Sequence, residues 1–220
     1  MESNYEKQVL MARKLFLNYD QEKMIRKFHL DSDEQWIYLE FLNRIYRISR
    51  RTGEIFLSRC LSGDKHGGED SKNSVPCMDY QIVMTLYDVL CYSAGIPVLS
   101  REWCPIYALQ VTMSSPGTDT FTGKYAKLFS GDTERLRCAC EKLGGEQPGI
   151  VARADVCWQF RVFPFFSVQL RFWDGDDEFE PKLQLLWDRN SLDFMHFETL
   201  YYVQGHLMER LKEEFEEISG

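Results

Sequence analysis

A chain of 220 residues with 44% hydrophobic and 14% aromatic content can bury a sizeable core, which excludes disorder over most of its length. Its net charge of −8 and pI near 5.1 have the wrong sign for tracking phosphate backbones or sitting on anionic lipid, so neither a nucleic-acid nor a membrane partner is expected. No apolar run approaches the roughly 20 residues that span a bilayer, and MESNYEKQVLMARK lacks the apolar stretch of a signal peptide, so the expected location is cytoplasmic.

In residues 4–28, Tyr5, Val9, Ala12, Phe16, Tyr19 and Lys23 recur at spacings of three and four, which predicts one amphipathic helix lying on a sheet face. Residues 36–57, rich in β-branched and aromatic side chains, read as a small meander with turns at Asn43-Arg44 and Arg51-Thr52-Gly53. Residues 58–75 are rich in Gly, Ser and Asp without periodicity and read as a surface loop, with His66 solvated inside it. From 78 to 94, Ile82, Val83, Leu86, Val89, Leu90 and Ala94 mark a core helix that Gly95-Ile96-Pro97 stops. A loop and a short extended piece follow over 100–113, then a Ser-Ser-Pro-Gly turn. Two short helices are expected over 121–129 and 132–143, the second opened by Asp132 and closed by Gly144-Gly145.

The second half is organised around residues 163–188. Phe166, Val168, Leu170 and Phe172 alternate with Ser167, Gln169 and Arg171, and Leu183, Leu185 and Trp187 alternate with Lys182 and Gln184. That is the pattern of two strands with one core face and one wet face, on which the other elements are expected to pack. A preceding strand over 154–163, set off by Pro164, makes a three-stranded antiparallel meander. The last helix, 197–218, carries the stripe Leu200, Val203, Leu207, Leu211, Phe215 and Ile218. The fold class is therefore α+β, antiparallel β-sheet meanders packed against several amphipathic helices, with residues 1–220 read as a single domain because no Pro- or Gly-rich linker divides them.

Chemistry is sparsely written in this chain. Between the strands, Asp174, Asp176, Asp177, Glu178 and Glu180 put five carboxylates within seven residues, a cluster that a hard cation would relieve. The same residues suit a hairpin turn, and they do not match the EF-hand loop pattern. Glu198 stands in the first turn of the last helix, where it complements the helix dipole, with Asp188 and Asp193 shortly before it. His196 and His206 read as surface or core-edge histidines.

The seven cysteines form no C-x-x-C pair. Cys138 and Cys140, two apart on a helix, point to different sides, so no metal and no cofactor is expected. Cys91 reads as a small core residue, and Cys104, between Trp103 and Pro105, is the thiol most open to a nucleophilic role, although no histidine is paired with it in sequence. No G-x-S-x-G elbow and no phosphate-binding glycine loop is present.

The run Trp173-Asp174-Gly175-Asp176-Asp177-Glu178-Phe179, followed by Leu186-Trp187-Asp188 and Phe194-Met195-His196-Phe197-Glu198, resembles the C-terminal signature of the DUF3786 family. Ala154-Asp155, Pro164 and the stretch from Leu86-Tyr87-Asp88-Val89-Leu90 through Glu102-Trp103 are also similar to it, so the resemblance covers about residues 80–210. It implies a domain of unknown function from largely anaerobic bacteria and archaea. Some members add a cysteine-rich segment like an iron–sulfur site, which this chain lacks. The matching residues are Asp176, Glu178, Phe179, Asp188 and Glu198, and the family assigns none of them a role.

Asp176, Glu178, Asp188 and Glu198 are accordingly the ligand-binding candidates. The leading expectation is a cytoplasmic protein that binds a small molecule, a cofactor or a partner protein without chemistry of its own. The alternatives are a metal-assisted or general acid–base enzyme using those carboxylates, and a scaffold pairing through a strand edge.

Overall fold

The computed structural model describes residues 4–58, 74–92, 95–109, 121–149 and 153–218. Their contacts gather in two compact units, Met1–Val98 with Leu192–Val203 and Leu99–Ser191 with Gln204–Gly220. Each holds a four-stranded antiparallel sheet and helices, so the α+β class is seen twice. The loop expected over 58–75 lies from residue 59 to residue 73 outside the described residues, as do His66, Cys60 and the Ser-Ser-Pro-Gly turn.

In the first unit the single helix expected over 4–28 is two, α1 (Asn4–Asn18) and α2 (Gln21–Phe28). The break falls where Asp20 leaves helical geometry and its carboxylate accepts the Lys23 amide at 3.0 Å, capping α2. An N-cap outweighs a hydrophobic period that runs through it. Of the predicted stripe on α1 only Phe16 is fully buried, and α1 packs along the helix α3 (Tyr80–Tyr92) rather than on a sheet face. α3 is the core helix the sequence announced. It is opened by the Asp79 carboxylate on the Ile82 amide, and it buries Val83, Leu86, Tyr87, Val89 and Leu90, each worth roughly 1.5–3 kcal/mol relative to exposure.

The meander is β1 (Trp36–Phe41), β2 (Arg44–Ser49) and β3 (Ile55–Leu57), joined by a short β4 (Val75–Pro76). Its first turn sits one residue earlier than expected. Phe41 pairs with Arg44, and Leu42 and Asn43 both take positive φ, the twist that a two-residue hairpin demands. In the second turn Gly53 has φ +74, and a Cβ there would lie 2.8 Å from the Arg13 side chain, so glycine is required twice over. The Tyr87 hydroxyl donates to the Gly53 carbonyl at 2.6 Å and ties α3 to this turn. Ile37, Leu39, Phe41, Tyr46, Ile48 and Ile55 are buried, so this sheet has its own core and does not depend on the 163–188 hairpin as the sequence suggested.

The second unit contains that hairpin. Its sheet runs β5 (Trp103–Pro105), β8 (Lys182–Asp188), β7 (Phe166–Trp173), β6 (Val156–Phe163), so the predicted three-stranded meander gains a fourth, distant strand. In register, Trp158, Leu170 and Leu185 lie across one face, as do Phe160, Val168 and Trp187, and all are buried. The opposite face is less wet than alternation implied, because Gln169, Leu186 and Cys157 on it are buried too. The helices α4 (Gly123–Phe129) and α5 (Thr133–Lys142) follow the predicted positions. Asp132 caps α5, and Gly144 follows it at φ +77.

The last helix, α6 (Phe197–Glu217), starts in the first unit and ends in the second. In the second, Tyr125 donates to Glu209 at 2.5 Å, and the Phe129 and Phe215 rings meet at 4.9 Å. The Arg135 guanidinium lies 3.9 Å from the Phe215 ring and donates to the Phe215 carbonyl.

Candidate functional site

The acidic hairpin tip is built as a turn. Asp176 accepts the amides of Glu178 and Phe179 at 2.8 and 2.7 Å, and its own N–H donates to the Phe179 carbonyl. This Asx geometry uses the carboxylate locally, while the Glu178 side chain is exposed. Gly175 permits the close return of the chain, since a Cβ there would lie 2.8 Å from Pro181. Asp174 accepts from the Ser130 hydroxyl and from the Gly131 and Gly175 amides. Burial pushes its pKa up, but those bonds together hold it below the usual carboxylate value.

Asp188, at the end of β8, is 3% exposed, and its carboxylate takes four hydrogen bonds. Ser100 gives its amide and its hydroxyl, each at 2.9 Å, Arg101 its amide at 2.7 Å and Asn190 its amide at 2.9 Å. Arg101 sits at φ +63, so the carboxylate fastens a left-handed bend beside β5. Such saturation marks an acceptor that organises backbone. Asp188 is not brought together with the hairpin tip around any shared ligand position among these contacts.

Glu198 belongs to the first unit. It is exposed in the first turn of α6 and accepts the Tyr202 hydroxyl at 2.8 Å. Burial first, and then this bond to a carboxylate, push the Tyr202 phenol pKa up. Tyr80 stands edge-on to Tyr202 at 6.3 Å and donates to Gln8 on α1.

Beside Glu198 in sequence, a pair the sequence did not single out is assembled. Asp88 of α3 accepts the His196 main-chain N–H at 2.9 Å and the Thr199 hydroxyl at 2.6 Å, and its other oxygen meets His196 Nδ1 at 2.5 Å. The Asp88 side chain is 14% exposed and the His196 side chain 65%. The carboxylate thus fixes the ring by Nδ1 and leaves Nε2 outward, an acceptor when the ring is neutral and a donor when it is charged. The Tyr92 ring lies 4.1 Å from the imidazole and is itself exposed. One signal existed in the sequence: Asp88 is the lone acid in the apolar run of α3, a position that needs a partner if half-buried.

Neither Cys91 nor Cys104 is activated. Burial pushes Cys91 up to about 12 and raises Cys104 despite the attraction of Arg189. Cys138 is exposed and Cys140 buried, so the pair does point to different sides. Among the described residues, no three His, Cys, Asp or Glu side chains are placed to hold a metal ion, and no helix is long and apolar enough to cross a membrane.

A family model for a domain of unknown function, DUF3786, matches residues 20–210. The chain belongs to the DUF3786 family. The family region reaches further toward the N-terminus than the 80–210 read from the motifs, adding α2 and the whole first sheet to a stretch that already held Asp88 and His196. No curated protein and no solved structure matches this DUF3786 member.

Proposed function

We propose that this DUF3786 member is a cytoplasmic binding protein that holds a small molecule or a partner protein at the start of α6, with His196 as the polar anchor and no covalent chemistry of its own. The observation that carries this is the Asp88–Nδ1 contact, which orients an exposed imidazole whose second nitrogen has no partner among the described residues. Tyr92 beside it offers an exposed ring for an apolar part of the ligand. The acid–base alternative built on Asp176, Glu178, Asp188 and Glu198 is weakened because Asp176, Asp188 and Glu198 already serve the turn, the bend and Tyr202, and Glu178 stands exposed at the hairpin tip. If proton transfer occurs, the oriented His196 is the better base. The edge-pairing alternative is weakened as well. The outer edge of β6 is met at Gln159 by reciprocal bonds with Glu146, and that of β1 at Trp36 and Tyr38 by Asp33 and Asp31.

The test is a fragment screen on the full chain, read by backbone amide NMR. Binding fragments are expected to shift Asp88, Tyr92 and His196, and those shifts should vanish in H196A. Hits that gather elsewhere, or that ignore H196A, would overturn the reading.

A further inference from the structure

The outward face of the first sheet carries a cation, Arg47, that has no counter-charge among the described residues. Arg47 on β2 pairs across the sheet with Tyr38 on β1 and Phe56 on β3, which puts all three on one face, together with Trp36 two residues before Tyr38. The alternate residues Ile37, Leu39, Ile48 and Ile55 fill the core on the other side. Arg47 is 7% exposed, and its guanidinium lies 4.3 Å from the Trp36 ring and 5.6 Å from the Phe56 ring. Its Nε is buried without a hydrogen-bond partner, and among the described residues no carboxylate lies within ion-pair distance of it. A largely buried guanidinium with no anion among the described residues is costly, and the two aromatic rings recover only part of that. By contrast Arg50 and Arg189 on the same chain each have a glutamate, Glu22 and Glu102.

We propose that Arg47, with Trp36, Phe56 and Tyr38, forms a binding site for a small planar aromatic monocarboxylate. One guanidinium matches one carboxylate, taken through two parallel N–H bonds, and the half-buried rings match the flat apolar body. Polyanions are a poor match. Glu40 stands on the same face, Asp33 holds the Tyr38 hydroxyl beside it, and the chain carries −8 overall, so added phosphates would meet repulsion. The site is independent of His196.

Benzoate serves as the probe, titrated into the intact protein and followed by calorimetry and tryptophan fluorescence, with benzamide as its neutral counterpart and acetate as its ringless one. Saturable benzoate binding is expected, weakened by about tenfold or more in R47Q, the size of one lost charge-assisted hydrogen bond. Benzamide and acetate should each bind about tenfold more weakly. R47Q should keep or raise the urea midpoint, since it removes a buried unpaired charge. Should R47Q fail to fold, R47K keeps the charge but not the planar fork, and must still weaken benzoate. Absence of saturation, equal binding of benzamide or acetate, or benzoate binding that survives both Arg47 substitutions would overturn the proposal.

Discussion

Replacing Asp188 with alanine separates a structural acceptor from a ligand-binding carboxylate. The substitution leaves the amides of Ser100, Arg101 and Asn190 without their acceptor, and frees Arg101 from the bend that holds it at φ +63. An unsatisfied buried donor costs about 1–3 kcal/mol. Arg101 is exposed and Ser100 and Asn190 half-buried, so water replaces part of what is lost and the low end applies. Three donors at about 1 kcal/mol each give about 3 kcal/mol, a large share of the roughly 5–15 kcal/mol that folds a typical domain. D188N, which keeps one acceptor oxygen, should lose about half as much. The assay is urea denaturation followed by circular dichroism, comparing both midpoint and m-value because two compact units need not unfold together. Amide exchange at Ser100 and Arg101 localises the effect. A loss under about 1 kcal/mol with those amides still protected would show that the fold does not need this carboxylate, and would return Asp188 to the list of ligand contacts.

Two further outcomes follow from the same accounting. Asp176→Ala removes only an exposed Asx turn and should shift stability by less than about 1 kcal/mol, and Mg²⁺ or Ca²⁺ should raise the thermal midpoint of neither form; a cation-dependent rise that D176A abolishes would revive the metal loop. Lys27 is buried under α3, where its ammonium donates to the Leu90 carbonyl at 3.1 Å, and burial lowers its pKa to about 8 from 10.5. Below about pH 8 both the folded and the unfolded chain carry this proton; above it the folded chain releases the proton first, so the unfolded state binds more and stability rises with pH. Above the ordinary thiol pKa of 9.0, Cys91 works in the opposite sense, so the window is pH 8 to 9, with a slope of up to about 1.4 kcal/mol per pH unit that Lys27→Met should flatten. An equal slope in both proteins would refute the assignment.

Most elements were readable because each is written locally. The alternation in 166–173 and 182–188 needs no knowledge of the rest of the chain, and Asp132 and Gly144 mark their helix by their own backbone preferences. The break at Asp20 was equally local, yet the apolar period through Tyr19 and Lys23 masked it. What could not be read is what joins distant segments. β5 pairs with β8 across roughly eighty residues of chain, and one of the crossings between the two units falls inside α6, where no change of composition marks it.

The same distinction decides the candidate sites. Asp176 and Asp188 stood out because acids cluster at a turn and close a strand, but a carboxylate in such a place is often recruited by the nearest free amides, and both are. Among the described residues, two basic side chains with unused capacity are Arg47, hidden in an aromatic strand pattern, and His196, whose partner Asp88 lies 108 residues away. Neither carries a local spacing that sequence reading could catch. Both belong to the first unit, whereas the hairpin that dominated the sequence belongs to the second. In a chain with eight excess negative charges, the carboxylates are abundant enough to be spent on backbone, and it is the scarce basic groups whose placement is informative. A buried guanidinium with no anion among the described residues and an exposed imidazole locked by one nitrogen are both arrangements that folding alone does not favour. The hairpin therefore explains how the second unit is built, while both proposed sites lie on the first.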